Sequence, residues 1–327
     1  MGQSTKVRSP TSLQALPGSA NDAAEHTGRG PRGRPARIGL LRFVAAVSFG
    51  FAAFDGCDSG LDIVAVDREV CDGVDNDRNG IIDDLDANGD GLCDCLRIGV
   101  FGYPGPRPMD QLEGMMHSRA VPSAVLSAQT MTAELLSTLD VVIVQDVQDG
   151  EATGTAGQEG IGKGIGRVYS DAEVEALRAW VADGGGVMAL TGYTSTAAEV
   201  TNVNRLLAPF GVSYGTQVVL YAGTPTSSVP VTHWDRAHPL ASGVTKAGVA
   251  GGHPVSGAGT LVAWEPNPGA SDVARAVEWG RGHVFAWGDE WITYDAEWSN
   301  ADYQDKRLWL NSLRWLAAAG YCQVPIP

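Results

Sequence analysis

The C-terminal two thirds of this 327-residue chain predicts an α/β domain on a mostly parallel sheet. Three observations carry that reading. Short β-branched apolar runs bounded by Gly, Pro and Asp recur through residues 96–322, as buried parallel strands do. Helical patterns fall between them, one of them opened by a complete capping box. Strand and helix in alternation place helices on both faces of such a sheet.

Taken in order, residues 96–101 (LRIGVF) and 141–144 (VVIV) read as the first buried strands. Ser170-Asp171-Ala172-Glu173 opens a helix with Val174, Leu177, Trp180 and Val181 on one face, which ends at Gly184. Residues 187–190 (VMAL) form another strand, and residues 202–207 a short helix closed by Pro209 and Gly211. Further strands are expected at 218–221, 260–264, 273–277 and 283–287. Residues 303–318 close the chain as an amphipathic helix burying Leu310, Leu313 and Leu316 or their neighbours.

Ahead of this domain, residues 71–95 pack eight Asp, three Asn and four Gly into CDGVDNDRNGIIDDLDANGDGLCDC, a composition suited to a hard cation. From Asp75, oxygen donors fall at Asp75, Asp77, Asn79, the Ile81 carbonyl, Asp83 and Asp86, with Gly80 at the sharp turn, which is calcium-loop spacing. Asp86, Asn88, Asp90, the Leu92 carbonyl and Asp94 repeat the spacing with Gly91 at the turn, so Asp86 is available to both loops. Position 12 is Asp86 instead of Glu, and no helical pattern frames the loops, which excludes an EF-hand proper. Zinc fits poorly: Cys71, Cys93 and Cys95 are three thiols with no His between residues 27 and 116, and a structural zinc site takes about four N/S ligands.

The net charge of −15 is local in origin. Residues 62–95 hold eleven acids against two Arg, a net of −9, whereas residues 1–42 hold seven basic and two acidic residues. After residue 42 no basic stripe with interleaved aromatics occurs, so nucleic acid is not an expected partner. Residues 29–57 run from an Arg-rich stretch into a twelve-residue apolar segment, 43–54, and then Cys57, which reads as an export signal. Twelve residues fall short of the ~20 that span a bilayer. The end of the run resembles a bacterial lipobox, which implies lipidation of Cys57 and a membrane partner through that anchor; Gly56 suits it, and Phe54 and Asp55 depart from it. Cys71, Cys93, Cys95 and Cys322 then remain, an even number that suits disulfides in an oxidising compartment. Of three possible connectivities, Cys71–Cys93 with Cys95–Cys322 is favoured, because these cysteines flank the last domain on both sides.

The acidic segment resembles the metal-binding motif CDGxDNDCDGxIDE of secreted bacterial proteins, continuing into a thrombospondin type 3 style repeat. Arg78 stands where that motif has Cys, so the resemblance implies that Cys93 or Cys95 replaces the missing partner of Cys71. The runs LRAWVADGGGVMALTGY, TNVNRLLAPFGVSY, HPLASGV and GRGHVFAWGDEWI are similar to the class I glutamine amidotransferase-like superfamily, nearest its trehalose-utilisation type branches. The resemblance covers most of residues 97–320 and implies a flavodoxin-like, doubly wound, mostly parallel sheet, with the disulfide and calcium-loop spacer before it. It implies function weakly. The nucleophile's place after residues 187–190 is Thr191-Gly192-Tyr193, and no cysteine lies between 96 and 321, which excludes glutamine hydrolysis.

Other catalytic signatures are missing. There is no G-x-S-x-G and no H-E-x-x-H. Residues 157–163 spell G-x-x-x-x-G-K, but Gly164 follows where the Mg²⁺ hydroxyl ligand is needed, so the run reads as a Gly-rich surface loop. Seven of nine Trp lie between residues 264 and 315, and the segment after a predicted strand holds Trp287, Asp289, Glu290, Trp291, Tyr294 and Asp295. Ligands collect beyond the carboxyl ends of strands in open α/β sheets. Aromatic faces beside carboxylates suit a glycan, and paired acids there would suit a carbohydrate hydrolase. The opposing reading makes the Trp core and the acids caps. His233, Asp235 and His238 are candidates to join that segment as a polar cluster, against which a His before Pro239 reads more simply as a turn residue.

The chain therefore divides into residues 1–57, prelude and export signal; 58–95, calcium-binding spacer; 96–322, α/β domain; and 323–327, tail. The expected function is an exported, lipid-anchored envelope protein that binds Ca²⁺ and a partner such as a glycan. A hydrolase, or a structural or adhesive element, is the alternative.

Overall fold

The computed structural model describes residues 68–103, 107–116, 120–121, 126–148, 164–191, 197–221, 228–265 and 271–327. The segment expected to direct export, Cys57 and the 157–163 run lie outside them. Twelve strands are found among the described residues: β1 (Ile98–Gly102), β2 (Ala120–Val121), β3 (Val141–Gln145), β4 (Gly186–Leu190), β5 (Val212–Tyr214), β6 (Val229–Val231) and, further on, β7 (His233–Trp234). The remainder are β8 (Ala247–Val249), β9 (Val255–Gly257), β10 (Thr260–Glu265), β11 (Ser271–Trp279) and β12 (Gly282–Trp287). The helices are α1 (Asp110–Met116), α2 (Ala133–Leu136), α3 (Asp171–Ala182), α4 (Ala197–Leu207), α5 (Asp295–Trp298) and α6 (Asp305–Leu316). None is long and apolar enough to cross a membrane.

One eight-stranded sheet runs β2-β1-β3-β4-β12-β11-β10-β7. Its first five strands are parallel, in the 2-1-3-4-5 order of flavodoxin-like folds. β11, β10 and β7 continue it antiparallel. The sheet is thus mostly parallel, as expected; the antiparallel turn comes where only Gly280 and Arg281 link β11 to β12, since a parallel crossover needs about a dozen residues. β3 and β4 are buried at every position, which accounts for their unbroken apolar runs. Two cores line the sheet, one formed with α6 and the other with α2, α3 and α4.

The capping box forms as predicted. The Ser170 hydroxyl accepts from Glu173 N, and the Glu173 carboxylate accepts from Ser170 N. Glu173 also accepts from Met131 N and from Arg167, tying the start of α3 to the preceding loops. Three boundaries differ from expectation. Residues 218–221 are no strand: Leu220 makes one isolated bridge to Gly252, and Tyr221 N turns back to the Val219 carbonyl, which ends the ladder. The helix expected at 202–207 begins earlier, at Ala197. The closing helix is shorter, because the Gln304 side chain is taken by Thr245 and Lys246 and Ala317 turns extended.

The acidic segment and the C-terminus are built into the domain, so the expected spacer and tail are corrected. Ile82 bridges Tyr321, with Ile82 N donating to the Gly320 carbonyl and Cys322 N to that of Ile82. Leu92, Cys93, Cys95, Cys322 and Val324 are buried in the same core as α6. Disulfides join Cys71 to Cys95 and Cys93 to Cys322, the reverse of the favoured pairing. The Ile82–Tyr321 bridge sets the Cys322 sulfur 3.6 Å from the Asp83 carbonyl oxygen, and the Cys93 sulfur lies 3.1 Å from the same atom. Cys95 is thereby left to Cys71.

Candidate functional site

Strand register brings Gly102, Gln145, Leu190 and Trp287 to one edge of the sheet, where open α/β folds bind ligands. At the β1/β3 switch point the backbone is tight. Gly102 has φ +101°, and a Cβ there would stand 1.6 Å from the Gln145 carbonyl oxygen. Asp146, the next residue after β3, is buried at φ +47°. Past β4, the Thr191 hydroxyl is buried and donates to the Gly288 carbonyl at 2.7 Å. Thr191, the first of the three residues where the resemblance places the nucleophile, is thus a packing hydroxyl, and Gly192 and Tyr193 lie outside the described residues.

The residues expected to meet a glycan sit at the end of β12 and just beyond it, and most are interior. Trp287 is 0% exposed and stacks on Trp234 with ring centroids 5.9 Å apart. Trp291 is buried beneath the Arg107 guanidinium, 4.4 Å from its ring centroid. The Asp289 carboxylate is fully buried and accepts from Ala250 N and Glu290 N. Burial pushes it up to about 8, against the backbone N–H groups that hold it down. Glu290 accepts from the Tyr294 hydroxyl, and burial beside that carboxylate raises the phenol. Asp295 is partly exposed and accepts from Gln111 N at 2.9 Å, anchoring α1. The aromatic faces are therefore core and the acids are braces, which corrects the sugar-facing surface and with it the paired-acid arrangement for hydrolysis. His238 and Asp235 hold their own turns, accepting from Leu240 N and Ala237 N.

Sequence reasoning missed a second buried acid pair. Asp305 opens α6 and Glu297 closes α5, and both are buried. A Cβ on Gly248 would meet Glu297 Oε2 at 2.9 Å, so only glycine admits this approach. Burial, reinforced by Glu297, pushes Asp305 up to about 8. The native state then holds a proton that the unfolded chain releases near pH 4, and this group's contribution to stability falls as pH rises from about 4 to 8. Asp305→Asn keeps the neutral form. Its melting temperature is expected to match the parent near pH 4 and exceed it at pH 8 by the equivalent of about 1–3 kcal/mol, within the limit of 1.36 per pKa unit. Equal differences at both pH values would refute the assignment.

In the acidic segment the two loops share one hydrogen-bond scheme offset by eleven residues. Asp75 accepts from Asn79 N and Gly80 N, and Asp86 from Asp90 N and Gly91 N. Asp77 accepts from Asn79 N and Asn88 from Asp90 N. Asn79 accepts from Ile81 N and Asp90 from Leu92 N. Gly80 and Gly91 turn both loops at φ +93° and +85°.

The first loop nevertheless uses its donors differently from the expected set. Asp83 is buried and gives both oxygens to Asp72 N and Gly73 N, while Asp86 serves the second loop. Asp94 accepts from Ala87 N. Among the described residues, the carboxylates that converge are Asp77, Glu69 and Asp84. Glu69 precedes the motif and Asp84 falls between its spaced donors, so the spacing rule selected neither.

The strand order and the two helical layers define a flavodoxin-like α/β domain carrying a disulfide-clamped acidic segment. No protein-family model matches the chain, and no curated protein matches it. Among solved structures, the mmIFT52 N-terminal domain is 15% identical, with a TM-score of 0.49 over 67% of this chain and 96% of that one. The cytoplasmic protein STM1381 from Salmonella typhimurium LT2 is 14% identical, with a TM-score of 0.49 over 68% and 100%. A ThuA-like protein from Bacteroides uniformis ATCC 8492 is 12% identical, with a TM-score of 0.40 over 71% and 94%.

Proposed function

We propose that this is an exported, lipid-anchored envelope protein whose acidic segment binds calcium and whose α/β domain, an amidotransferase-like fold without the nucleophile, is a binding module. The repeated loop scheme carries the calcium reading. Two turns eleven residues apart present hard oxygens around paired positive-φ glycines, the donor type Ca²⁺ takes. Two cystines support residence in an oxidising compartment. The Arg-rich and apolar run before Cys57 supports export and lipidation.

Calorimetric titration of the oxidised protein with CaCl₂ is expected to give saturable binding, at about 10⁻⁴–10⁻³ M if the site is of extracellular type. Calcium at about ten times the dissociation constant then stabilises by about 1.4 kcal/mol, or roughly 3–6 °C at 2–4 °C per kcal/mol. A folded protein with no binding heat and an unchanged melt would refute calcium binding. Labelling of Cys57 by a fatty-acid analogue tests the anchor, and unlabelled mature protein would leave secretion without one.

A further inference from the structure

We propose that Glu69, Asp77 and Asp84 form a hard divalent-cation site, with Glu69 as its innermost ligand. The proposal rests on the reading that the acidic segment binds calcium, and adds a ligand set that the loop spacing does not contain. One carboxylate oxygen from each of the three residues lies within 4.8 Å of the others. Glu69 is 5% exposed. Its Oε1 accepts from Asp77 N at 2.8 Å, and its Oε2 is buried with no hydrogen-bond partner among the described residues.

A buried carboxylate oxygen left without a partner is costly. Two further carboxylates close by add like-charge repulsion. A divalent cation removes both costs at once by taking the orphaned oxygen as a ligand and neutralising two of the three charges. The Asn79 side-chain amide already donates to both Asp77, at 3.1 Å, and Asp84, at 2.9 Å, which holds these two acids side by side. All the ligand atoms are carboxylate oxygens, with no thiolate or imidazole among them, so the cation class is that of calcium. The remaining positions of a six- to eight-coordinate ion fall to solvent, since Asp77 and Asp84 are only partly buried.

Glu69→Gln is the informative variant because its remaining amide oxygen still accepts from Asp77 N. Asp90→Asn, in the second loop, is its companion. Calorimetric titration of the oxidised full chain with CaCl₂ is expected to show that Glu69→Gln loses one calcium, or at least tenfold in affinity for it. Asp90→Asn should retain that calcium. Melts in chelator separate a ligand from a brace: without calcium Glu69→Gln should melt at or above the parent, and with calcium below it. Parental stoichiometry and affinity in Glu69→Gln would overturn this site while leaving loop binding intact. A large loss of stability for Glu69→Gln in chelator would also overturn it, by making Glu69 a structural acceptor. Absence of any calcium binding by the parent would overturn both readings together.

Discussion

Replacing Cys93 and Cys322 together by Ser is expected to lower the stability of the folded protein by about 3–5 kcal/mol. The bond joins positions 229 residues apart. Loop-closure entropy for a ring of that size reaches about 5 kcal/mol, against about 3.5 for the 24-residue separation of Cys71–Cys95. Strain and residual structure in the unfolded chain reduce such gains in practice. At 2–4 °C per kcal/mol, the larger effect corresponds to a melting temperature lowered by roughly 10 °C. Cys71→Ser with Cys95→Ser should cost less, since the bond restricts only the acidic segment. Thermal melts of the two double variants test the ranking. A Cys93/Cys322 variant melting within a degree or two of the parent would show that the buried contacts around Leu92 and Val324 hold the two ends unaided.

Gly102→Ala is expected to be the most damaging single methyl addition at the carboxyl edge, costing about 3 kcal/mol or more. Two causes act together. At φ +101° an alanine is strained by about 1–3 kcal/mol. Its Cβ would also stand 1.6 Å from the Gln145 carbonyl oxygen, so β1 and β3 must separate at the last pair of their ladder. Gly114 is the control: it lies within α1 with nothing within 4 Å of a Cβ. Gly114→Ala should therefore stabilise by about 0.5–1 kcal/mol. Urea midpoints at constant m-value would read both. A mild effect at Gly102 would mean that the switch-point backbone is more compliant than its contacts indicate.

The sheet was legible where each strand carried its own signal. Val141 to Val144 and Val187 to Leu190 are apolar without interruption because both their faces are covered. Ser170 and Glu173 announced α3 because a capping box is a local device, read within four residues. Long-range choices left no such mark. Val218 to Tyr221 has strand-like residues, yet whether it joins a ladder depended on Gly252 and on the turn at Tyr221.

The site was legible in composition and illegible in geometry. The eleven-residue repeat of the acidic loops was visible in the spacing of Asp and Gly, because each loop bonds mainly to itself. Glu69 and Asp84 were not, since their meeting with Asp77 is set by how the residues on either side of it fold back towards it. The tryptophans misled for a related reason. Trp287 reads the same in sequence whether it faces solvent or Trp234, and only the strand pairing beyond β12 decides which.

The two cystines also determine how this molecule would respond to being pulled. Tension applied upstream of Cys71 passes directly to Cys95 through their bond, so the acidic loops between them are shunted and cannot be drawn out straight while it is intact. From Cys95 the force continues into β1, an interior strand flanked by β2 and β3. Two residues before Cys95, the Cys93–Cys322 bond couples the pull to the C-terminal segment as well. A tether on the N-terminal side would therefore be resisted by both ends of the domain in parallel, and the acidic loops would keep their shape under tension until a cystine is reduced.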